Sequence, residues 1–349
     1  MIIMELGENE PLPGENGSKS YKVGLTFNLK KGLKSDVEDL EAEYDSIETV
    51  NAIKEVLENL GCEVTLLEAD KNVIQSLLNN KPDIVFNIAE GLNGRGREAH
   101  IPALLNFLGI PFTGSDETTL CIALDKELTK RILSTYGIRT PEYCLIKCTS
   151  QQIPPMDYPV IVKPNAEGSS KGISDTAIVK NEEELRKLIN KNCRIYNQPM
   201  LVEKYIKGRE FTVAVIGNDE DTIVFPPMEI KFRKNDERYS IYSYNVKKNY
   251  KEYVEYICPP FIEERILKDM TETARKIYNC LNCRDFSRID FRVSEEGEVY
   301  FIEINPLPGL APGYSDFPMI TAFNGISYYD TVKMVLNSGL KRYGMSTVG

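Results

Sequence analysis

The sequence predicts three α/β or α+β modules in series. Three observations carry this reading. A chain of 349 residues with 42% hydrophobic content is long enough for about two or three packed domains. Strand-like and helix-like runs alternate from residue 21 onward, and glycine and proline punctuate the joins between them. Residues 1–20 are rich in Gly, Pro and Glu, carry too little apolar content to pack, and are expected to be a disordered tail.

Residues 21–27 read as the first strand. A helix over 45–60 places Ile47, Val50, Ile53, Leu57 and Leu60 at helical spacing and closes at Gly61, and strands follow at 62–67 and 83–88. This β-α-β order implies a small parallel sheet covered by helices, ending near residue 115, so the first module spans 21–115. A helix over 116–136 opens the second module, 116–203, with strands at 143–146, 159–163, 175–179 and 199–205 and a helix over 181–190. The third module, 204–349, begins with a strand at 210–216. Its amphipathic helix over 263–281 carries Ile266, Met270, Ala274, Ile277 and Leu281 on one face. Two alternating strands, 287–293 and 298–305, precede a helical end.

The net charge of -10 is spread along the chain, which argues against a nucleic-acid or anionic-membrane partner. No stretch approaches the ~20 apolar residues of a membrane span, and the first residues lack the pattern of a leader, so a cytoplasmic protein is expected. The eight cysteines are expected to be reduced and to act as small buried hydrophobes. Cys280 and Cys283 have CxxC spacing, but there is no second such pair and His100 is the only histidine. His100 opens an apolar helical run, 100–108, where a packing role is expected rather than acid/base work.

The clearest chemistry lies in the two late strands. Side chains alternate along a strand, so Arg288, Asp290 and Arg292 share one face, and Glu303 and Asn305 share a face of the next strand. Such hard oxygen donors suit Mg2+, and equally a surface ion-pair ladder. A second segment, Val162-Lys163-Pro164-Asn165-Ala166-Glu167-Gly168-Ser169-Ser170-Lys171-Gly172, delivers a lysine from a strand into a small-residue loop. Its N–H groups and hydroxyls could wrap phosphate, or the loop could be an ordinary connection; it is not a Walker loop. Third, Glu203-Lys204-Tyr205-Ile206 with Glu210 stands where two modules meet, which suits either a small-molecule cleft or a charged hinge.

Taken in order, Leu124-Asp125-Lys126, Val162-Lys163-Pro164, Glu167-Gly168-Ser169-Ser170, Glu203-Lys204, Glu210-Phe211-Thr212, Arg288-Ile289-Asp290 and Glu303-Ile304-Asn305 resemble the D-alanine:D-alanine ligase family. The resemblance implies a three-domain ATP-grasp fold, with ATP held between antiparallel sheets of the central and C-terminal domains. It implies an ATP-dependent carboxylate–amine ligase working through an acyl phosphate. By position, Lys126 and Lys163 would contact the nucleotide phosphates, Glu203, Lys204 and Ile206 the adenine edge, and Glu210 the ribose, with Glu167 and Ser170 also among the nucleotide-binding residues. Asp290, Glu303 and Asn305 would hold two Mg2+ ions, for which Mn2+ can substitute. Arg288 and the Gly309 N–H would stabilise the transferring phosphoryl group and the oxyanion, while Ser169 and Lys247 belong to loops that close over the site.

The substrate half departs from the family. Its usual His-Gly is Glu90-Gly91 here, followed by Leu92-Asn93-Gly94-Arg95-Gly96-Arg97. Tyr44-Asp45-Ser46 stands where the family has Glu-Val-Ser; Lys247-Lys248 replaces Lys-Tyr; and Leu310-Ala311-Pro312-Gly313-Tyr314-Ser315 replaces Ser-Leu. Glu90, Arg95, Arg97, Lys248, Tyr314 and Ser315 are therefore the expected substrate residues, with Glu90 meeting an ammonium and Arg95 or Arg97 a carboxylate. The expected partners are amino-acid or dipeptide substrates, and a homodimer is allowed. The expectation is a peptide-bond-forming ligase for substrates other than D-Ala plus D-Ala. The alternatives are D-alanine:D-alanine ligase proper, serving peptidoglycan precursor synthesis, and a catalytically weak nucleotide-binding regulator.

Overall fold

The computed structural model describes residues 20–32, 43–147, 153–167, 178–233, 246 and 249–349. Three sheets organise the described residues. In the first, β1 (Lys22–Phe27) lies between β2 (Glu63–Glu68) and β3 (Ile84–Asn87), parallel to both. A central strand in a covered parallel sheet is buried on both faces, which is why Val23, Gly24, Leu25, Thr26 and Phe27 are all buried. Helix α1 (Ile47–Asn59) starts where the Ser46 hydroxyl accepts the Thr49 N–H and packs Val50, Ile53 and Leu57 inward. Helices α2 (Val73–Asn80) and α3 (His100–Leu108) complete this part. His100 is exposed at the start of α3, contrary to the expected packing role, because the helix turns Ile101 and Leu105 inward instead.

The single helix expected over 116–136 is two. Helices α4 (Glu117–Leu124) and α5 (Lys126–Thr135) are separated by Asp125, whose backbone is extended (φ -85, ψ 95). The cause is capping: an aspartate side chain competes for backbone donors, and here Asp125 Oδ1 accepts the Leu128 N–H at 3.1 Å and the Asn165 side-chain amide at 2.7 Å.

The second sheet has the order β4 (Tyr143–Ile146), β7 (Met200–Lys204), β5 (Val160–Pro164), β6 (Ile178–Val179), all antiparallel, and is covered by α6 (Glu182–Tyr196). It has its own small core, including Val160, Val162, Met200, Leu185 and Ile189. The third sheet runs β11 (Val254–Ile257), β10 (Met228–Phe232), β8 (Gly208–Ile216), β12 (Phe286–Ser294), β13 (Val299–Asn305), with β9 (Ile223–Val224) paired to β8. After the one-turn α7 (Tyr250–Tyr253), α8 (Glu264–Cys280) buries Ile266, Met270, Ala274 and Ile277, the face expected from its period.

The last helices, α9 (Asp316–Phe323) and α10 (Tyr328–Arg342), join the first and third sheets in one core that contains Leu25 and Ile53 as well as Phe286, Phe317 and Leu336. The cysteines do not all pack inward: Cys62 and Cys283 are buried, but Cys121 is exposed. Burial pushes the Cys283 thiol well above its ordinary value, which suits a packing role rather than a reactive thiolate. No described helix is long and apolar enough to cross a membrane.

Asp125→Ala should cost about 1–3 kcal/mol, because it removes the α5 cap and orphans the buried Asn165 amide. A thermal-unfolding midpoint equal to that of the unaltered chain would refute the capping account.

Candidate active site

The site is assembled on β12 and β13, whose antiparallel register sets Arg288 opposite Asn305 and Asp290 opposite Glu303, just before an irregularity at Asp290/Phe291. Alternation thus brings these four side chains together as the sequence predicts. Arg288 donates to both Asp290 oxygens, Nε to Oδ1 at 3.0 Å and Nη2 to Oδ2 at 2.8 Å, and its Nη1 lies 3.3 Å from Asp316 Oδ2. Thr212 on β8 donates to Asp290 Oδ1 at 2.6 Å. Lys126 at the start of α5 reaches Glu303 Oε2 at 3.3 Å and donates to the Glu167 carbonyl at 2.5 Å. Burial raises the Glu303 carboxyl, but the nearby charges of Lys126, Lys163 and Arg288 win and hold it down at about 2.

Facing this cluster, Glu203 on β7 lies between Lys130 (2.7 Å) and Lys163 (2.6 Å), all three buried. Lys130 is the residue the sequence reading missed, although it follows Lys126 by one helical turn on α5. Its ammonium also donates to Thr140 Oγ1 at 2.7 Å and to the Ile302 carbonyl of β13 at 3.0 Å. Burial lowers the Lys130 pKa to about 8 despite Glu203. For Glu203, burial again acts upward, and the two lysines overcome it and keep the carboxyl below its ordinary value.

Of the expected adenine-edge residues, the Glu203 carboxylate pairs with the two lysines, and the half-buried Lys204 places its ammonium 3.1 Å from Asp157. Ile206 is half-buried just past β7. Glu210 pairs with Arg292 at 3.1 Å; burial, reinforced by Asp290 and Glu303, nonetheless raises its pKa to about 7.

A cavity of about 400 Å³ opens beside Arg288, Asn305 and Gly309. Part of its lining comes from the N-terminal unit, including Lys30, Glu43, Asp45, Glu90 and Glu98. Glu90 reaches it because Gly91 turns the chain at φ +75, where an added Cβ would stand 2.1 Å from the Arg97 carbonyl. Tyr314 and Ser315 also line it. The Ser315 hydroxyl accepts the Ala311 N–H at 3.1 Å, and the Tyr314 ring meets Tyr250 edge-on.

Neither Arg95 nor Arg97, the expected carboxylate receivers, lines this cavity. Arg97 is buried and spent on Glu43 (2.6 and 2.8 Å from Nη2), Glu167 (3.1 Å) and the Ala166 carbonyl (3.0 Å). Arg95 is largely exposed and pairs with Asp125. Glu167 is held between Arg97 and the Gln198 amide, which donates at 2.7 Å. Ser169, Ser170, Lys247 and Lys248 lie outside the described residues, as do most of the two loops expected to close.

Burial pushes the Glu98 carboxyl up to about 7, with Glu43 adding repulsion and Arg97 opposing it. Asp45 is likewise raised to about 7 by burial, against the pull of Lys30. A folded pKa above the unfolded one means that the native state holds the extra proton between about pH 4.5 and 7, so stability falls as pH rises through that window. Glu98→Gln should therefore be more stable than the unaltered protein by about 1–3 kcal/mol at pH 8, with the advantage gone at pH 4.5. A pH-independent difference between the two unfolding curves would contradict this.

Residues 133–337 match the family model described as D-ala D-ala ligase C-terminus. A D-alanine--D-alanine ligase of Aquifex aeolicus (strain VF5) is 34% identical over 300 residues, covering 83% of this chain and 94% of that protein. The solved D-alanine--D-alanine ligase from Bacillus anthracis complexed with ATP superposes with a TM-score of 0.71 at 21% identity, over 93% of this chain and 99% of that one. The VanG D-Ala:D-Ser ligase from Enterococcus faecalis gives 0.69 at 20% identity, over 92% and 100%.

Proposed function

The chain belongs to the D-alanine:D-alanine ligase family, and from that premise we propose that it joins two amino-acid-type substrates other than D-alanine with D-alanine. It is an ATP-dependent ligase that forms C–N bonds, on the ATP-grasp fold. In the proposed reaction a carboxylate oxygen of the first substrate attacks the γ-phosphorus of ATP and ADP leaves. The amine of the second then attacks the acyl carbon, and phosphate leaves as the C–N bond forms.

The observation that carries the substrate reading is one cavity in which Arg288, Asn305 and Gly309 meet Glu90. Arg288, fixed by Asp290 and Asp316, presents a guanidinium where charge develops on the transferring phosphoryl and the oxyanion, and the Gly309 N–H serves the same oxygen. Lys126 and Lys163 align the phosphates, with Ser170 and Glu167 in the covering loop. Backbone groups of Glu203, Lys204 and Ile206 meet the adenine, and Glu210 the ribose. Ser169 and Lys247 close over the reacting groups, and Lys248, Tyr314 and Ser315 face the second substrate.

The donor set of Asp290, Glu303 and Asn305 fits a divalent cation, Mg2+ by preference and Mn2+ as a substitute. All three offer hard oxygen, and Glu303 is ionised at any working pH. When bound, the metal would neutralise phosphate charge.

D-alanine:D-alanine ligase proper is a second reading, supported by the Aquifex relative at 34% identity. Release of ADP and phosphate over L- and D-amino acids, singly and in pairs, separates the two. Turnover with D-alanine alone favours the second reading, and no amino-acid-dependent release with any pair removes both. Arg288→Lys should cut kcat by about 10²–10⁴ while leaving the Mg-nucleotide Kd within a few-fold; wild-type kcat would refute the role of Arg288.

A further inference from the structure

Accepting the cavity beside Arg288 as the substrate pocket, as the ligase reading does, we propose that the amino acid held against its N-terminal wall carries a second cationic group, a side-chain ammonium or guanidinium received by Glu90 and Glu98. Glu43 and Glu98 are buried in this wall and Asp45 and Glu90 half-buried, so their charges have to be answered locally. Glu43, Asp45, Glu90 and Glu98 line it, together with Lys30. Glu43 is answered by Arg97, which is itself shared with Glu167 and the Ala166 carbonyl. Lys30 lies near enough to Asp45 to oppose its burial. Arg288 is already engaged by Asp290 and Asp316.

That leaves Glu90 and Glu98. Glu98 is only 8% exposed, lines the cavity, and makes no hydrogen bond or ion pair among the described residues; Arg97 and Lys126 attract it, but both are bonded to other acids, Glu43 and Glu303. Glu90 is pressed by burial and then by Glu98, Glu43 and Asp45, so these acids lie close enough to repel one another. The α-ammonium of an ordinary amino acid answers one carboxylate. A buried carboxylate with neither proton nor partner is costly, so the remaining one calls for a second cation in the bound complex. A spread of carboxylates around a cavity of about 400 Å³ fits an extended dication, with its carboxylate left for the Arg288 end.

The test is calorimetric binding to the full chain with Mg2+ and a non-hydrolysable ATP analogue. It compares charged amino acids with neutral near-isosteres in both chiralities: lysine with norleucine, ornithine with norvaline, arginine with citrulline. At least one cationic member should bind tenfold or more tightly than its neutral mate. Glu98→Gln and Glu90→Gln should each reduce that preference to under threefold without changing nucleotide affinity, and either variant alone decides if the other fails to fold. Equal binding of every pair, no binding of any cationic member, or variants that keep the full preference would each overturn the proposal. Phosphate release measured on the same panel keeps the two readings apart. A cationic preference with no turnover counts against the ligase reading alone, whereas turnover restricted to neutral amino acids counts against the dication alone.

Discussion

One buried carboxylate fixes the geometry of the whole cleft. Glu203, on a sheet with its own small core, forms ion pairs with two lysines from different elements, Lys163 from the neighbouring strand and Lys130 from α5. Lys130 then bonds the Ile302 carbonyl on the C-terminal sheet, next to Glu303. The central sheet is thereby tied to the metal-type cluster by charge and hydrogen bonds rather than by a shared apolar core. Such a cluster adds little net stability, since desolvation opposes the Coulombic gain, but it is strongly directional. That directionality sets Lys126, Lys163 and Glu303 within reach of one another before any ligand arrives.

The two halves of the site differ in how their charges are settled. Around β7, β12 and β13 every one of these anions faces a cation: Asp290 and Asp316 share Arg288, Glu303 has Lys126, and Glu203 has Lys130 and Lys163. On the N-terminal wall of the cavity carboxylates outnumber cations, and burial drives Asp45, Glu90 and Glu98 toward their protonated forms. A neutralised wall is complete as it stands, whereas a frustrated one is completed by what binds to it.

Much of this was legible in the sequence wherever a long regular element sets the geometry. The period-two pattern of β12 and β13 placed Arg288 with Asp290 and Glu303 with Asn305, and the period of α8 gave its buried face. Short elements hid more. Strands β9 to β11 pass unread because two are brief and Pro226–Pro227 interrupts the run. The break at Asp125 was legible in principle as an aspartate ahead of a new helical turn. Charge pairing was the least legible layer. A sequence shows that Arg97 is an arginine but not that Glu43, 54 positions earlier, already holds it. Glu98 likewise enters the cavity only through the 3-10 turn of Arg97–Ala99.

The central claim is that a substrate carboxylate is activated by phosphoryl transfer, and isotope tracing tests it most directly. With an amino acid that supports turnover, labelled with ¹⁸O in its carboxylate, one labelled oxygen should pass into inorganic phosphate for each C–N bond formed. Unlabelled phosphate released alongside ADP, or AMP and pyrophosphate in its place, would contradict the account.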